Sequence, residues 1–162
     1  MGGNQTERFG VTPEIVSQSG TQTSTTSTDA DVVGSKVNVD NKPAAGTCYR
    51  FTLAGTNTGG NAAHTVDIHF GSTNLITLTA DAVTAVDWMA TIVVMILDSK
   101  NQRIMGHMQG NALDCENDYA AATADMSAGG TLKAVINSGH ASDTVTCEMC
   151  VVEKWEMGLV TS

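Results

Sequence analysis

Charge, proline and aromatic side chains are scarce in this chain of 162 residues. Charged residues make up 15% of it, aromatic residues 4%, and there are two prolines, whereas about 25% of an average globular domain is charged. The charges present are mostly acidic, with 17 Asp and Glu against 8 Lys and Arg, for a formal net charge of −9. Nucleic acids and anionic membranes both bind to clustered cations, so this balance excludes nucleic acid and membrane as expected partners.

Long apolar runs and a disulfide framework are also missing. The best apolar run, Ala90–Leu97, is far shorter than the about 20 residues of a transmembrane helix. The four cysteines are too few for a disulfide scaffold in a chain of this length. We therefore expect reduced thiols that pack as small hydrophobic groups at Cys48, Cys115, Cys147 and Cys150.

Threonine (22 residues) and glycine (16 residues) are abundant, and hydrophobic side chains alternate with polar ones. Val66, Ile68 and Phe70 share one face of a strand, and a similar alternation places Tyr49, Phe51 and Leu53 inside the protein. Turn-forming residues separate such runs at the spacing typical of a sandwich. The pattern predicts eight or nine strands, near Thr21–Thr28, Val32–Val39, Thr47–Thr56, His64–Phe70, Asn74–Thr79, Val86–Leu97, Gln102–Leu113, Thr131–Asn137 and Asp143–Trp155.

The chain thus reads as one all-β domain, a single antiparallel β-sandwich, preceded by an extended arm. Residues 1–20 show no sustained periodicity and form the predicted N-terminal arm, and residues 21–162 form the predicted sandwich domain. Only Ala120–Met126 has a helix-like composition, enough for one turn at most.

The strand around Trp88–Leu97 is apolar on both faces. Such a strand is either covered twice within its own sandwich or packs against another subunit, since exposure would make it prone to aggregate. Oligomerisation is the simpler explanation. We predict that the subunit contact is formed by Trp88, Ile92, Val94 and Ile96.

The candidate chemical sites are weak. Cys147 and Cys150 form a CxxC motif, but residues three apart on a strand point to opposite faces unless a bulge intervenes. The four histidines are scattered, and the acidic loop expected at Asp114–Asp118 lacks the glycine and closing glutamate of a calcium loop. No nucleophile elbow, phosphate loop or zinc-protease motif is present. We expect a protein that is not an enzyme, with no catalytic residue, metal site or cofactor.

One stretch, Gly46–Thr73, resembles the β-sandwich virion domains of tailed bacteriophages. There a strand ending in Ala-Gly-Thr leads to an Asn/Thr/Gly loop, and an alternating strand closed by Gly and Ser or Thr follows, as at Gly71–Thr73. The likeness extends through the apolar strand after Trp88 and its partner Gln102–Gln109 to the last strand, and covers most of the chain. The Cys147/Cys150 pair and the eight methionines depart from it.

The resemblance implies a jelly-roll-like, trimeric domain of the capsid decoration (cement) or head-fibre type. The absence of collagen-like, coiled-coil or shaft repeats favours a decoration protein over a long fibre. The expected partners are the major capsid protein and further copies of the chain, and the expected location is the outer surface of the virion after synthesis in the host cytoplasm. We predict that the arm contacts the capsid or a neighbouring subunit through Phe9, Val11, Ile15 and Val16.

Two alternatives remain open. The first is a fibre head or a receptor- or carbohydrate-binding sandwich, for which Trp88 and Trp155 are the candidate stacking residues, although seven aromatic residues in total leave few to spare. The second is a capsid subunit, because single jelly rolls can build shells. A subunit of that kind would assemble into closed particles by itself.

Overall fold

Strands built on the alternating pattern pair into two antiparallel sheets. The computed structural model describes residues 13–19, 21–24, 27–82, 86–110 and 113–156, without the side chains of 19 and 113–115. This part of the chain holds twelve strands and no helix: β1 (Glu14–Ser19), β2 (Gln22–Ser24), β3 (Ala30–Asp31), β4 (Val37–Val39), β5 (Thr47–Thr58), β6 (His64–Phe70), β7 (Thr73–Ala80), β8 (Val86–Asp98), β9 (Asn101–Gly110), β10 (Leu113–Ala122), β11 (Gly130–Asn137) and β12 (Thr144–Glu156).

The first sheet has seven strands in the order β1-β12-β5-β8-β9-β10, with β2 also paired to β12. The second has five, in the order β3-β11-β6-β7, with β4 also paired to β11. The long strand β5 therefore pairs with β12 in one sheet, while the next strand, β6, pairs with β11 in the other. The arrangement confirms the predicted all-β antiparallel sandwich, and the jelly-roll-like connectivity stays a prediction.

The core lies between the sheets and contains the side chains that the alternation assigned to it. Tyr49, Phe51 and Leu53 of the seven-stranded sheet are at most 2% exposed, and Ile68 of the five-stranded sheet is fully buried. Seven of the nine predicted strands correspond to long strands, namely β5, β6, β7, β8, β9, β11 and β12. Among the described residues of the predicted strand Thr21–Thr28, only β2 is a strand. Of Val32–Val39 only β4 is a strand, because a turn at Gly34, whose φ is 78°, precedes it.

Strand β10 replaces the acidic loop that was expected there. The predicted acidic loop Asp114–Asp118 lies within this strand, and so do the first residues of the helix-like segment Ala120–Met126. Pairing with β9 places Ala120 opposite Ile104 and Ala122 opposite Gln102. Because tertiary pairing readily overrides intrinsic helix preference, even that of alanine, Ala120–Ala122 belong to the strand.

The end of the predicted arm is a strand of the sandwich. Residues Glu14–Ser19 form β1, which pairs with β12 at the edge of the seven-stranded sheet. The domain as described thus begins several residues before position 21. Backbone hydrogen bonding to β12 explains how a segment with so little hydrophobic pattern is held in place.

Candidate interaction surface

The outward face of the seven-stranded sheet carries most of the exposed large hydrophobic side chains. Among the described residues, seven such side chains are exposed, and all but Val33 lie on this face. Four of the eight methionines are found here. We call the outward side chains of β12, β5, β8, β9 and β10 the methionine face, after Met89, Met95, Met105 and Met149.

The register of the sheet aligns these side chains in rows. Val93 on β8 lies opposite Met105 on β9, and Met105 in turn lies opposite Tyr119 on β10. Met105 is 63% exposed and Tyr119 is 62% exposed. Side chains that are directly opposite on one face of a sheet lie within contact distance. The row is therefore a continuous apolar ridge across three strands.

An open groove of about 460 Å³ runs along this ridge. Val93, Met105 and Tyr119 line its apolar part, and His107 and Asn117 line its polar part. The Nδ1 atom of His107 lies 2.8 Å from Oδ1 of Asn117, which is directly opposite on β10. This hydrogen bond fixes the orientation of the imidazole at one end of the groove.

Charge on the methionine face is largely neutralised. Arg50 and Glu153 are opposite each other on β5 and β12, and the Nε atom of Arg50 donates to Glu153 Oε2 over 2.7 Å. The Arg50 guanidinium also lies 5.7 Å from the centre of the Trp155 ring. The remaining charges stand at the two ends, with Asp87 and Glu148 near the start of β8, and Arg103 and Asp98 near its end.

The predicted subunit contact needs correction. Trp88 is 5% exposed and Ile92, Val94 and Ile96 are fully buried, so that all four belong to the core of their own sandwich. Side chains in these positions cannot contact another subunit in the folded domain. The strand is apolar on both faces as expected, but the outward residues are Met89, Thr91, Val93 and Met95.

Only part of the predicted arm contact can be placed. Phe9 and Val11 lie outside the described residues. Ile15 is 60% exposed on the outward side of β1, whereas Val16 is half-buried and packs against the core. Of these two, only Ile15 is available to a partner.

The CxxC cysteines meet on the core side because of a bulge. The pairing of β12 with β5 shifts between Cys147 and Met149, so that Cys147 lies opposite Gly55 and Cys150 opposite Leu53. Both thiols are free and almost fully buried. Burial raises the pKa of Cys147 to about 11 and that of Cys150 to about 12. Protonated, buried thiols are neither good nucleophiles nor ready metal ligands, as expected of core cysteines.

Two buried polar side chains of β6 are hydrogen-bonded within the fold. His64 is buried, and its Nδ1 atom donates to the carbonyl oxygen of Ser138 over 2.9 Å. Asp67 is buried on β6 and accepts hydrogen bonds from Thr65 and Thr77. Across the described ranges, no three His, Cys, Asp or Glu side chains are placed to hold a metal ion.

The described residues contain no helix with the length and apolar character needed to cross a membrane. Comparison with known protein families, with curated proteins and with solved structures gives no match to this chain.

Proposed function

We propose that this protein is a virion structural protein, a homotrimeric decoration protein that binds the outer surface of a tailed-phage head and stabilises it. The observation that carries the proposal is the methionine face, which holds five of the seven exposed large hydrophobic side chains of the described residues; Ile15 on β1 and Val33 are the other two. Contiguous exposed apolar surface of this kind is typical of protein–protein contact. The resemblance of Gly46–Thr73 to phage virion sandwiches indicates a phage capsid as the partner.

The sandwich is suited to a structural role under mechanical strain. Its central strands are long, with twelve residues in β5 and thirteen in both β8 and β12. Long antiparallel strands with a close-packed core deform little under strain. Three linked copies would also bind a symmetric shell with higher avidity than one copy.

Strand β1 supports a contribution of the N-terminal segment to binding. It pairs by backbone hydrogen bonds with the edge of β12, which shows that this segment can extend a sheet without special side chains. Strand addition of the same kind is a common mode of recognition between proteins. In the proposal, residues before β1 reach the capsid or a neighbouring subunit in this way.

The test is co-sedimentation of the purified protein with expanded tailed-phage capsids. We expect a soluble trimer that pellets with the capsids at a saturable ratio and raises their resistance to heat. A chain that lacks residues 1–12 should pellet more weakly while its sandwich still folds. Protein that remains in the supernatant at every capsid concentration contradicts the decoration role, and closed particles formed without capsids would instead identify a capsid subunit.

A carbohydrate- or receptor-binding module is the second candidate, and the groove beside Tyr119 favours it. Trp88 is buried and Trp155 is partly buried, so neither provides an exposed stacking platform. Among the described residues, Tyr119 is the exposed aromatic side chain, and Asn117 and Asp118 lie beside it in the groove. This candidate predicts that a glycan array gives specific signals that Tyr119→Ala removes, whereas the decoration role predicts no such signal.

A further inference from the structure

We infer that the methionine face is the surface through which one copy of this chain binds a second copy. The inference rests on the proposed function for its oligomeric part only, because it names the contact surface and makes no use of the capsid. It also assigns the subunit contact to outward side chains of β8, in place of the buried ones that were predicted from the sequence. The exposure, side-chain types, area and charge of the face support a second copy as its occupant.

Exposure distinguishes this face from the rest of the described surface. Met105 and Tyr119 are each more than 60% exposed at the centre of the row that they form with Val93. Met89 and Met149, each about 40% exposed, are aligned through Ala54 in a second row toward one end of the same face. Isolated exposed hydrophobic residues are ordinary, but a contiguous group on one sheet is costly to leave in water.

The side-chain types suit a protein partner. Methionine and tyrosine are enriched in protein interfaces, while lysine, glutamate and aspartate are depleted from interface centres. Methionine is flexible and polarizable, so that it adapts to a facing surface. Contact with a facing protein surface thus explains the four outward methionines, for which the resemblance to virion sandwiches gives no reason.

The area of the face matches that of a stable contact. Five strands at a spacing of about 4.8 Å span about 24 Å, and about ten residues at about 3.3 Å each extend about 33 Å along the strands. The product, about 800 Å², is the flat area of the whole face, and it is of the size that each partner buries in an interface of standard size.

The charges favour another copy as the occupant. A chain with a net charge of −9 repels its copies, so that a contact between copies needs a face with little net charge. At the centre of the methionine face, Arg50 and Glu153 neutralise each other. The other charged side chains stand at the two ends of the face and leave its centre without net charge. Two copies can therefore meet at the centres of their faces in spite of the net charge of the chain.

The experiment compares the solution mass of three proteins by light scattering and sedimentation velocity at micromolar concentration. The variants are Met105→Glu on the methionine face and Val33→Glu, whose side chain is also 63% exposed but belongs to a turn outside that face. Both add one negative charge at an equally exposed hydrophobic position. We expect the parent and Val33→Glu to be oligomers, and Met105→Glu to dissociate with an at least about tenfold higher dissociation constant.

Circular dichroism and thermal melting verify that each variant folds. Should Met105→Glu fail to fold, Tyr119→Ser and Met105→Gln test the same row without a charge and should weaken association in the same direction. A monomeric parent protein overturns the inference, and so does a Met105→Glu variant that associates as tightly as Val33→Glu. A monomeric parent whose capsid binding is lost in Met105→Glu also overturns it, because the capsid then occupies the face.

Failure of this inference and failure of the proposed function give different results. An oligomer that depends on Met105 but ignores capsids upholds the inference and contradicts the decoration role. A trimer that pellets with capsids and forms equally well in Met105→Glu does the reverse.

Discussion

The side-chain amide of Gln102 makes two hydrogen bonds with the backbone of one residue, Ala124. Its Nε2 atom donates to the Ala124 carbonyl over 3.1 Å, and its Oε1 atom accepts from the Ala124 N–H over 3.0 Å. Gln102 is fully buried near the start of β9, and Ala124 begins the crossover from β10 to β11. The backbone N–H of Met126, two residues on, donates to the Ser99 carbonyl over 2.7 Å. One glutamine thus fixes the point where the chain leaves the seven-stranded sheet.

Replacing Gln102 by leucine should be strongly destabilising. Leucine has a similar size, but it leaves the N–H and C=O of Ala124 buried without partners, at a cost of about 3 kcal/mol in the free energy of unfolding. Gln18→Leu, at an exposed position of β1, should change it by less than about 0.5 kcal/mol. Urea unfolding followed by circular dichroism measures both. Equal stabilities of the two variants would show that the Gln102–Ala124 pair contributes little.

Gly55 is expected to tolerate no side chain. A Cβ atom there would lie 1.8 Å from the Thr146 carbonyl oxygen on β12 and 2.9 Å from the Trp88 ring. Since the carbonyl belongs to a paired strand, Gly55→Ala must displace backbone, and we expect a loss of about 3 kcal/mol or more.

Gly71→Ala is the matched control for Gly55→Ala. Gly71 has a φ of 59°, and a Cβ atom added there would meet nothing within 4 Å. Only left-handed backbone strain of about 1 kcal/mol therefore applies at this position. Urea unfolding of the two alanine variants should rank Gly55→Ala as the less stable. The reverse order would mean that β12 moves away from β5 at little cost.

Strand β6 and the core side of β5 could be predicted from the sequence because each has one apolar and one polar face. Strand β8 could not be oriented in the same way, since both of its faces are apolar and only pairing with β5 and β9 decides which side meets the core. For that reason the predicted contact residues, Ile92 among them, proved to be core residues, and the outward Val93 and Met95 were missed.

Other features depend on partners that are distant in sequence. Strand β10 has a mixed polar and alanine-rich sequence, and its conformation follows from pairing with β9. The bulge at Glu148 changes which side chains of β12 face inward, and its position is set by the register with β5. The alternation of apolar and polar residues along one strand predicts neither the pairing of β10 nor the position of the bulge in β12. No feature of the sequence predicts that Tyr119 is exposed at the groove, because its exposure follows from the placement of β10.

The carboxylate of Asp143 makes the folding stability depend on pH in the acidic range. Its carboxylate accepts hydrogen bonds from the backbone N–H groups of Asn61 and Ala62 over 2.9 and 3.1 Å. Burial opposes ionisation, but the hydrogen bonds from Asn61 and Ala62 outweigh it, so that the pKa of Asp143 is lowered from its usual 3.8. A carboxyl group with a lowered pKa in the folded state stabilises the fold above its unfolded pKa, and this contribution is lost as the pH falls through the folded value.

The Asp143→Asn variant should therefore be less stable than the parent protein near neutral pH, with a difference that shrinks below about pH 4. Melting temperatures measured from about pH 7 down to about pH 3 test this expectation. Asp81→Asn, at an exposed position after β7, controls for the removal of one negative charge. A difference between Asp143→Asn and the parent that stays constant over this range would contradict the assigned role of the carboxylate.

The thiols of Cys147 and Cys150 make the folding stability depend on pH in the alkaline range. Because burial raises their pKa values from 9.0 to about 11 and about 12, the unfolded chain releases thiol protons above about pH 9 while the folded chain retains them. Folding stability should therefore fall as the pH rises from about 9 toward about 11, by up to about 1.4 kcal/mol per pH unit for each thiol. The Cys147→Ala/Cys150→Ala double variant should show a flatter decline over the same range.

The reactivity of the two thiols gives an independent measurement. In a Cys115→Ala background, which removes the cysteine whose side chain lies outside the described part, an aromatic disulfide reagent should label no thiol of the folded protein at about pH 8, since only the exposed thiolate attacks. All three remaining thiols should react once urea unfolds the chain, Cys48 included, because it is also buried and its pKa is also raised by burial. Labelling of the folded protein at the rate of the unfolded chain would place the pair at the surface, and the bulge at Glu148 would then not turn both sulfur atoms into the core.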